Sequence, residues 1–177
     1  MERNSRRAAQ EPKSGRRHPH RLNEQSYLNT NLPIMVTCNV IRRWPMLVDE
    51  TAETVEEALV ESSCRRGAEL HGYCVMPDHL HFVIHLVDDD TPPRFIRYFK
   101  GEASRRINLL WGMPGAFRWQ RSFWDTFADD REALGEQMNY MLSNPVRRGV
   151  CERPEDWAHS ADLRPGSGWS GQRPPRS

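Results

Sequence analysis

The chain has 177 residues and a formal net charge of +1, with 25 Lys and Arg against 24 Asp and Glu. That near balance excludes binding by bulk charge alone, and the length suits one domain with tails. No stretch is apolar enough to cross a membrane, no apolar N-terminal run resembles a signal peptide, and Cys38, Cys64, Cys74 and Cys151 form no C-x-x-C pair, so a cytoplasmic protein with free thiols is expected.

Residues 1–25 hold Arg3, Arg6, Arg7, Lys13, Arg16, Arg17 and Arg21 and almost no large apolar side chain. Such a segment cannot offset its ordering entropy by burial, so a disordered basic arm is expected, either on nucleic acid or simply solvated. Lys13 and Lys100 are the only lysines. Arg forks onto phosphate, but a GC-rich coding sequence gives the same bias.

The folded domain is expected over residues 26–160. Residues 34–41 are rich in β-branched side chains and predict a strand. Residues 51–66 predict a helix capped by Thr51, with Val55, Ala58, Leu59 and Ser62 inward. Residues 69–76 predict a second strand, and Pro77-Asp78 a tight turn. From His79 the chain alternates: His79, His81, Val83 and His85 on one face, Leu80, Phe82, Ile84 and Leu86 on the other. Two imidazoles on one face are either a polar surface pair or a shared site for a divalent cation. Asp88-Asp89-Asp90 ends that strand as a solvated loop.

Pro92 and Pro93 suit the first turn of a helix running to about Leu110. Phe95, Ile96, Phe99, Ala103, Ile107 and Leu110 form its core face. Arg94, Arg97, Lys100, Ser104, Arg105 and Asn108 fall opposite, as a solvated face or one that tracks phosphates. Residues 117–127 predict a fourth strand that interleaves aromatics with Arg118 and Arg121, for core packing or for stacking on unpaired bases. A last helix is expected over 131–143, with Leu134, Met138, Met141 and Leu142 on one side and Gln137, Tyr140 and Asn144 on another. Pro145 marks its end, and Arg147 and Arg148 follow as further phosphate contacts. Residues 161–177, rich in Gly, Pro, Ser and Arg, predict a flexible tail containing Trp169. The order β-α-β-β-α-β predicts an α+β, ferredoxin-like or RRM-like antiparallel sheet of four to five strands with helices.

Met76-Pro77-Asp78-His79-Leu80-His81 resembles the His-hydrophobic-His (HUH) motif of single-tyrosine transposases, and Tyr140-Met141-Leu142-Ser143-Asn144-Pro145 resembles their tyrosine helix. The Tyr-x-x-x-Asn-Pro pattern is similar to the REP-associated branch. So are Lys100-Gly101 with Ser104, Trp119-Gln120-Arg121, and the closing Arg153-Pro154-Glu155-Asp156-Trp157-Ala158-His159-Ser160. The resemblance spans residues 27–160. It implies an HUH endonuclease-type fold and an enzyme that cuts and rejoins single-stranded DNA at REP-like hairpins through a 5′-phosphotyrosine.

The resemblance maps the nucleophile to Tyr140 and the ligands of Mg²⁺ or Mn²⁺ to His79, His81 and Asn144. Asp78 stands where many relatives have Asn, adding negative charge beside the metal. His71 and His85 are expected to support the site or the fold, and the sequence does not name the general base, with His85 and a metal-bound water as the two options. A cytoplasmic, nucleoid-associated protein is expected, as monomer rather than homodimer. The alternative is a domesticated, non-catalytic binder of hairpins or single strands.

Overall fold

The computed structural model describes Tyr27, residues 32–87 and residues 90–169. The expected basic arm over 1–25, Asp88 and Asp89 of the acidic run, and residues 170–177 of the expected tail lie outside them.

The β-branched and alternating segments form strands β1 (Ile34–Asn39), β2 (Glu69–Met76) and β3 (His79–His85). Two shorter ones follow, β4 (Trp124–Phe127) and β5 (Ser160–Asp162). They make one antiparallel sheet in the order β4-β1-β3-β2-β5. The first four strands, with α1 (Asp49–Arg65) and α2 (Pro92–Leu110) as crossovers, give the ferredoxin-like α+β arrangement. Helix α3 (Arg131–Leu142) and the single turn α4 (Asn144–Arg147) follow β4.

The period of two along β3 sorts its side chains between two layers. Leu80, Phe82 and Ile84 join the larger core with α1 and α2, where Phe82 meets Phe95 and Phe99 at ring centroids 6.2 and 5.9 Å apart. Val83 faces the other way, into a smaller cluster with Cys74, Met76, Met138, Met141 and Leu142 under α3. Gly72 lets that side close. A Cβ there would meet the Ala161 carbonyl and Met138 Cε, each at 2.6 Å, so β5 and α3 approach only because none is present.

Five expectations are corrected. Helix α1 starts at Asp49, not at Thr51; Thr51 lies in its first turn and accepts from Trp111 Nε1 at 3.2 Å. Leu110 is exposed at the end of α2 rather than buried. The fourth strand covers only Trp124–Phe127, because Phe117, Trp119 and Phe123 are buried by a loop that Asn108 ties down at Phe117 N and O. The helix expected over 131–143 ends at Leu142, and a new turn begins at Asn144 with Pro145 in its first positions. The chain is also not a free tail from 161: β5 pairs with β2, Ala161 is fully buried, and Trp169 packs on the smaller cluster.

A buried contact ties the closing segment to α1. Glu56 accepts from His159 Nδ1 at 2.7 Å and from Tyr73 Oη at 3.1 Å. The hydrogen bond to Glu56 raises the His159 pKa, against the opposing effect of burial. Because the folded value is raised, this contact stabilises fully below the usual histidine value of about 6.5 and is lost as pH rises through the folded value. His159→Gln should therefore remove a loss of stability between neutral and alkaline pH that urea unfolding of the parent chain shows.

Candidate functional site

The register between β1 and β3 places the site. Asn39 lies opposite His79 and Thr37 opposite His81, and Thr37 also lies opposite Trp124 of β4. One face of the sheet thus presents Thr37, Asn39, His79, His81 and Trp124. Together with Met35, Arg43, Tyr140, Asn144, Arg147 and Arg148 they line a cleft of about 510 Å³.

Both imidazoles are buried. Burial lowers the His79 pKa against the pull of Asp78, and pushes that of His81 down to about 3, helped by the neighbouring His79, Arg43 and Arg148. Both rings are therefore neutral near pH 7 and keep a lone pair. His79 Nδ1 donates to Asp78 Oδ1 at 2.5 Å. A carboxylate only accepts, so the hydrogen of His79 is fixed on Nδ1 and its Nε2 is the lone-pair nitrogen. His81 Nδ1 lies 2.7 Å from Thr37 Oγ1, and a hydroxyl either donates or accepts. His81 can thus carry its hydrogen on either nitrogen.

The two Nε2 atoms are 3.0 Å apart, and the Asn144 amide Nδ2 is 3.4 Å from His79 Nε2. Two metal–nitrogen bonds of about 2.1 Å at about a right angle hold their nitrogens about 3 Å apart. Turning the Asn144 amide over brings its oxygen to the same point, giving two nitrogen donors and one oxygen donor. This set fits a divalent cation, and the Asp78–His79 pair is the usual support of a ligating histidine. Among the described residues no cluster of three or more His, Cys, Asp or Glu side chains is placed to hold a metal ion, and the oxygen in this set would come from an amide.

Tyr140 stands at the rim of the cleft, 46% exposed. Its ring meets His81 edge-on, with centroids 6.2 Å apart, and the Arg147 guanidinium lies 4.6 Å from its centroid. Gln137, one turn earlier on α3, donates to the Phe127 carbonyl at 2.8 Å and fixes the helix against β4.

The expected site residues divide sharply. His79, His81, Tyr140, Asn144, Arg147 and Arg148 share the cleft. Arg94, Arg97, Lys100, Ser104 and Arg105 lie on α2, across the sheet from it. Their face is not of unmixed sign, since Arg105 pairs with Glu102 at 3.1 Å. Arg118 and Arg121 sit exposed in the loop before β4, outside the cleft lining, with Arg118 Nε donating to the Gly115 carbonyl at 3.0 Å. His85 is four residues beyond His81, about 13 Å along a strand, and is no candidate for the base. It stacks with His71 beside Glu69 instead. Trp124, within the aromatic stretch offered for base stacking, does line the cleft, whereas Thr37, Asn39 and Arg43 are lining residues that the sequence reading does not single out. The alternation of Met35, Thr37 and Asn39 against Ile34, Val36 and Cys38 was the available signal for two of them.

A ferredoxin-like sheet that faces a central-strand His-x-His with a tyrosine helix defines the HUH single-tyrosine class. The profile of the family described as "Transposase IS200 like" matches residues 28–135, and the chain belongs to that family. The chain is 30% identical over 97 residues to a Haemophilus influenzae protein provisionally named a REP-associated tyrosine transposase, covering 50% of this chain and about half of that one, 55%. It is 24% identical over 126 residues to the REP-associated tyrosine transposase of Escherichia coli, covering 70% of this chain and 72% of that protein. The fold is shared with a solved REP-associated tyrosine transposase bound to a REP hairpin. The TM-score is 0.62 at 20% identity, over 81% of this chain and 92% of that one.

Lys100 illustrates the reassignment of the α2 face. Its Nζ donates to the carbonyls of Gln120 and Ser122 at 3.0 and 2.9 Å, pinning the loop before β4. Lys100→Met should cost about 1–3 kcal/mol in urea unfolding by stranding those carbonyls.

Proposed function

We propose that this chain cleaves and rejoins single-stranded DNA at REP-like hairpins, with Tyr140 as the nucleophile. The observation that carries the reading is the convergence of His79 Nε2, His81 Nε2 and the Asn144 amide in one cleft with Tyr140. The family and the similarity to REP-associated relatives supply the substrate class.

Free tyrosine has a pKa of about 10 and is a weak nucleophile at neutral pH, so position and charge must do most of the work. His79, His81 and Asn144 would hold Mg²⁺ or Mn²⁺, which when bound polarises a non-bridging phosphate oxygen. Nitrogen donors place Mn²⁺ ahead of the harder Mg²⁺. Arg147 and Arg148 add positive charge at the same rim and oppose the repulsion between phosphodiester and phenolate.

Tyr140 Oη attacks phosphorus and loses its proton to water, which reaches the exposed ring. The P–O3′ bond breaks, and the 3′ oxygen leaves as a hydroxyl after taking up a proton. The 5′-phosphotyrosine retains a phosphodiester linkage, so attack by an incoming 3′-hydroxyl rejoins DNA and frees Tyr140 without a nucleotide cofactor.

Tyr140→Phe should abolish the covalent protein–DNA band on a denaturing gel, using hairpin oligonucleotides with Mn²⁺, while hairpin affinity stays close to that of the parent. A parent that binds hairpins tightly without any adduct is instead a non-catalytic binder. Cleavage that survives in Tyr140→Phe would sink the tyrosine mechanism.

A further inference from the structure

We propose that Arg43 positions the phosphate backbone of the reacting strand and that Asp78 is its partner in the DNA-free protein. This rests on the strand-transfer reading above and adds a residue to it.

Arg42 and Arg43 both have left-handed backbones, with φ of 57° and 58°. Two non-glycine residues in succession rarely adopt this region, and such conformations persist where the surroundings over-determine them. Here they are pinned from both ends. Val40 N donates to the Asp78 carbonyl at 3.0 Å, Ile41 N to the Arg118 carbonyl at 3.0 Å, and Leu47 N to the Pro77 carbonyl at 2.8 Å. The segment is therefore folded onto the same turn that carries Asp78 and leads into His79.

This fold-back puts the Arg43 side chain in the cleft lining, partly exposed. Its Nε lies 2.7 Å from Asp78 Oδ2, and its Nη1 donates to Asn39 Oδ1. Neither contact uses Nη2. The charged side chains of the lining are Arg43, Arg147 and Arg148, and the one carboxylate against them is that of Asp78, on Arg43. An arginine fork suits two oxygens of one phosphate better than a single carboxylate oxygen.

Asp78 divides its two oxygens. Oδ2 faces Arg43 while Oδ1 accepts from His79 Nδ1. Arg43 can therefore pass from Asp78 to a phosphate without disturbing the hydrogen that fixes the His79 tautomer. On this view, aspartate at position 78 serves two partners where asparagine would offer one acceptor and no charge.

The test is a double-mutant cycle read by fluorescence anisotropy on labelled oligothymidylate, in a Tyr140→Phe background with EDTA, across a salt series. Arg43→Gln should lower the salt slope by about 0.7 unit, the loss of one single-strand phosphate contact. Asp78→Asn should tighten binding, and the tightening should vanish when Arg43→Gln is also present. Tightening of equal size in both backgrounds would mean that Asp78 acts only as a repelling charge, and would overturn the proposal. An unchanged slope in Arg43→Gln overturns it too. Thermal melting checks each variant. If Arg43→Gln fails to fold, Arg43→Lys decides: slope kept with weaker binding supports the fork, and unchanged binding refutes it. A parent chain that binds neither oligothymidylate nor the hairpin oligonucleotides at any salt overturns the DNA reading itself, and this proposal with it; binding to hairpins alone overturns only this proposal.

Discussion

Everything near the cleft answers one constraint: two neutral imidazoles are held with their Nε2 atoms 3.0 Å apart inside the protein. Buried polar groups are costly unless paired, and a half-paired network is worse than none. Asp78 satisfies one ring and Thr37 the other, so each Nδ1 has a partner and both Nε2 atoms turn to the same point. Antiparallel register does the rest. A slip of one residue between β1 and β3 would send His79 and His81 into the aromatic core and Leu80 into the cleft. The packing of Leu80, Phe82 and Ile84 thus keeps His79 and His81 on the opposite face.

The two sides of the sheet are built differently. The α1–α2 side is thick and aromatic, with Phe82, Phe95, Phe99, Phe117 and Trp119 in one cluster. The α3 side is thin and leans on Met76, Met138 and Met141, side chains that adapt to irregular gaps. Gly72 and Gln137 hold α3 close where that apolar anchor is small. Helix α3 therefore lies over the sheet face on a small apolar anchor, with Tyr140 at its exposed edge.

What could be read from the sequence follows from how local each signal was. The alternation through β3, the Pro77-Asp78 turn and the proline start of α2 each reside in a few consecutive residues, and all appear as expected. His79 and His81 came from period two, and Tyr140 and Asn144 from helical spacing joined to the family resemblance. The failures needed distant partners. Phe117, Trp119 and Phe123 signalled burial, and burial was read as a strand, but Asn108 supplies by side chain the hydrogen bonds that a neighbouring strand would have given. Lys100 looked like a surface cation because its two acceptors are carbonyls twenty and more residues away. β5 is three residues long within a stretch whose Gly, Pro and Ser spoke for a loop. Nothing in Ile41-Arg42-Arg43 announces a left-handed backbone.

Asn144 shows why the break after α3 matters. The proline behind it argues for a stop, and α3 does end at Leu142. Yet the chain turns only through Ser143, whose ψ of −6° departs from the helical value, and then starts again at Asn144. Pro145 is tolerated there because the first N–H groups of a helix lack intrahelical acceptors. In one unbroken helix, Tyr140 and Asn144 would stack on a common face with similar exposure. The break separates them, leaving Asn144 8% exposed on the cleft floor against His79 while Tyr140 stays at the rim. The cleft thus has unlike levels, with the amide and imidazole nitrogens on its floor and the phenol at its rim.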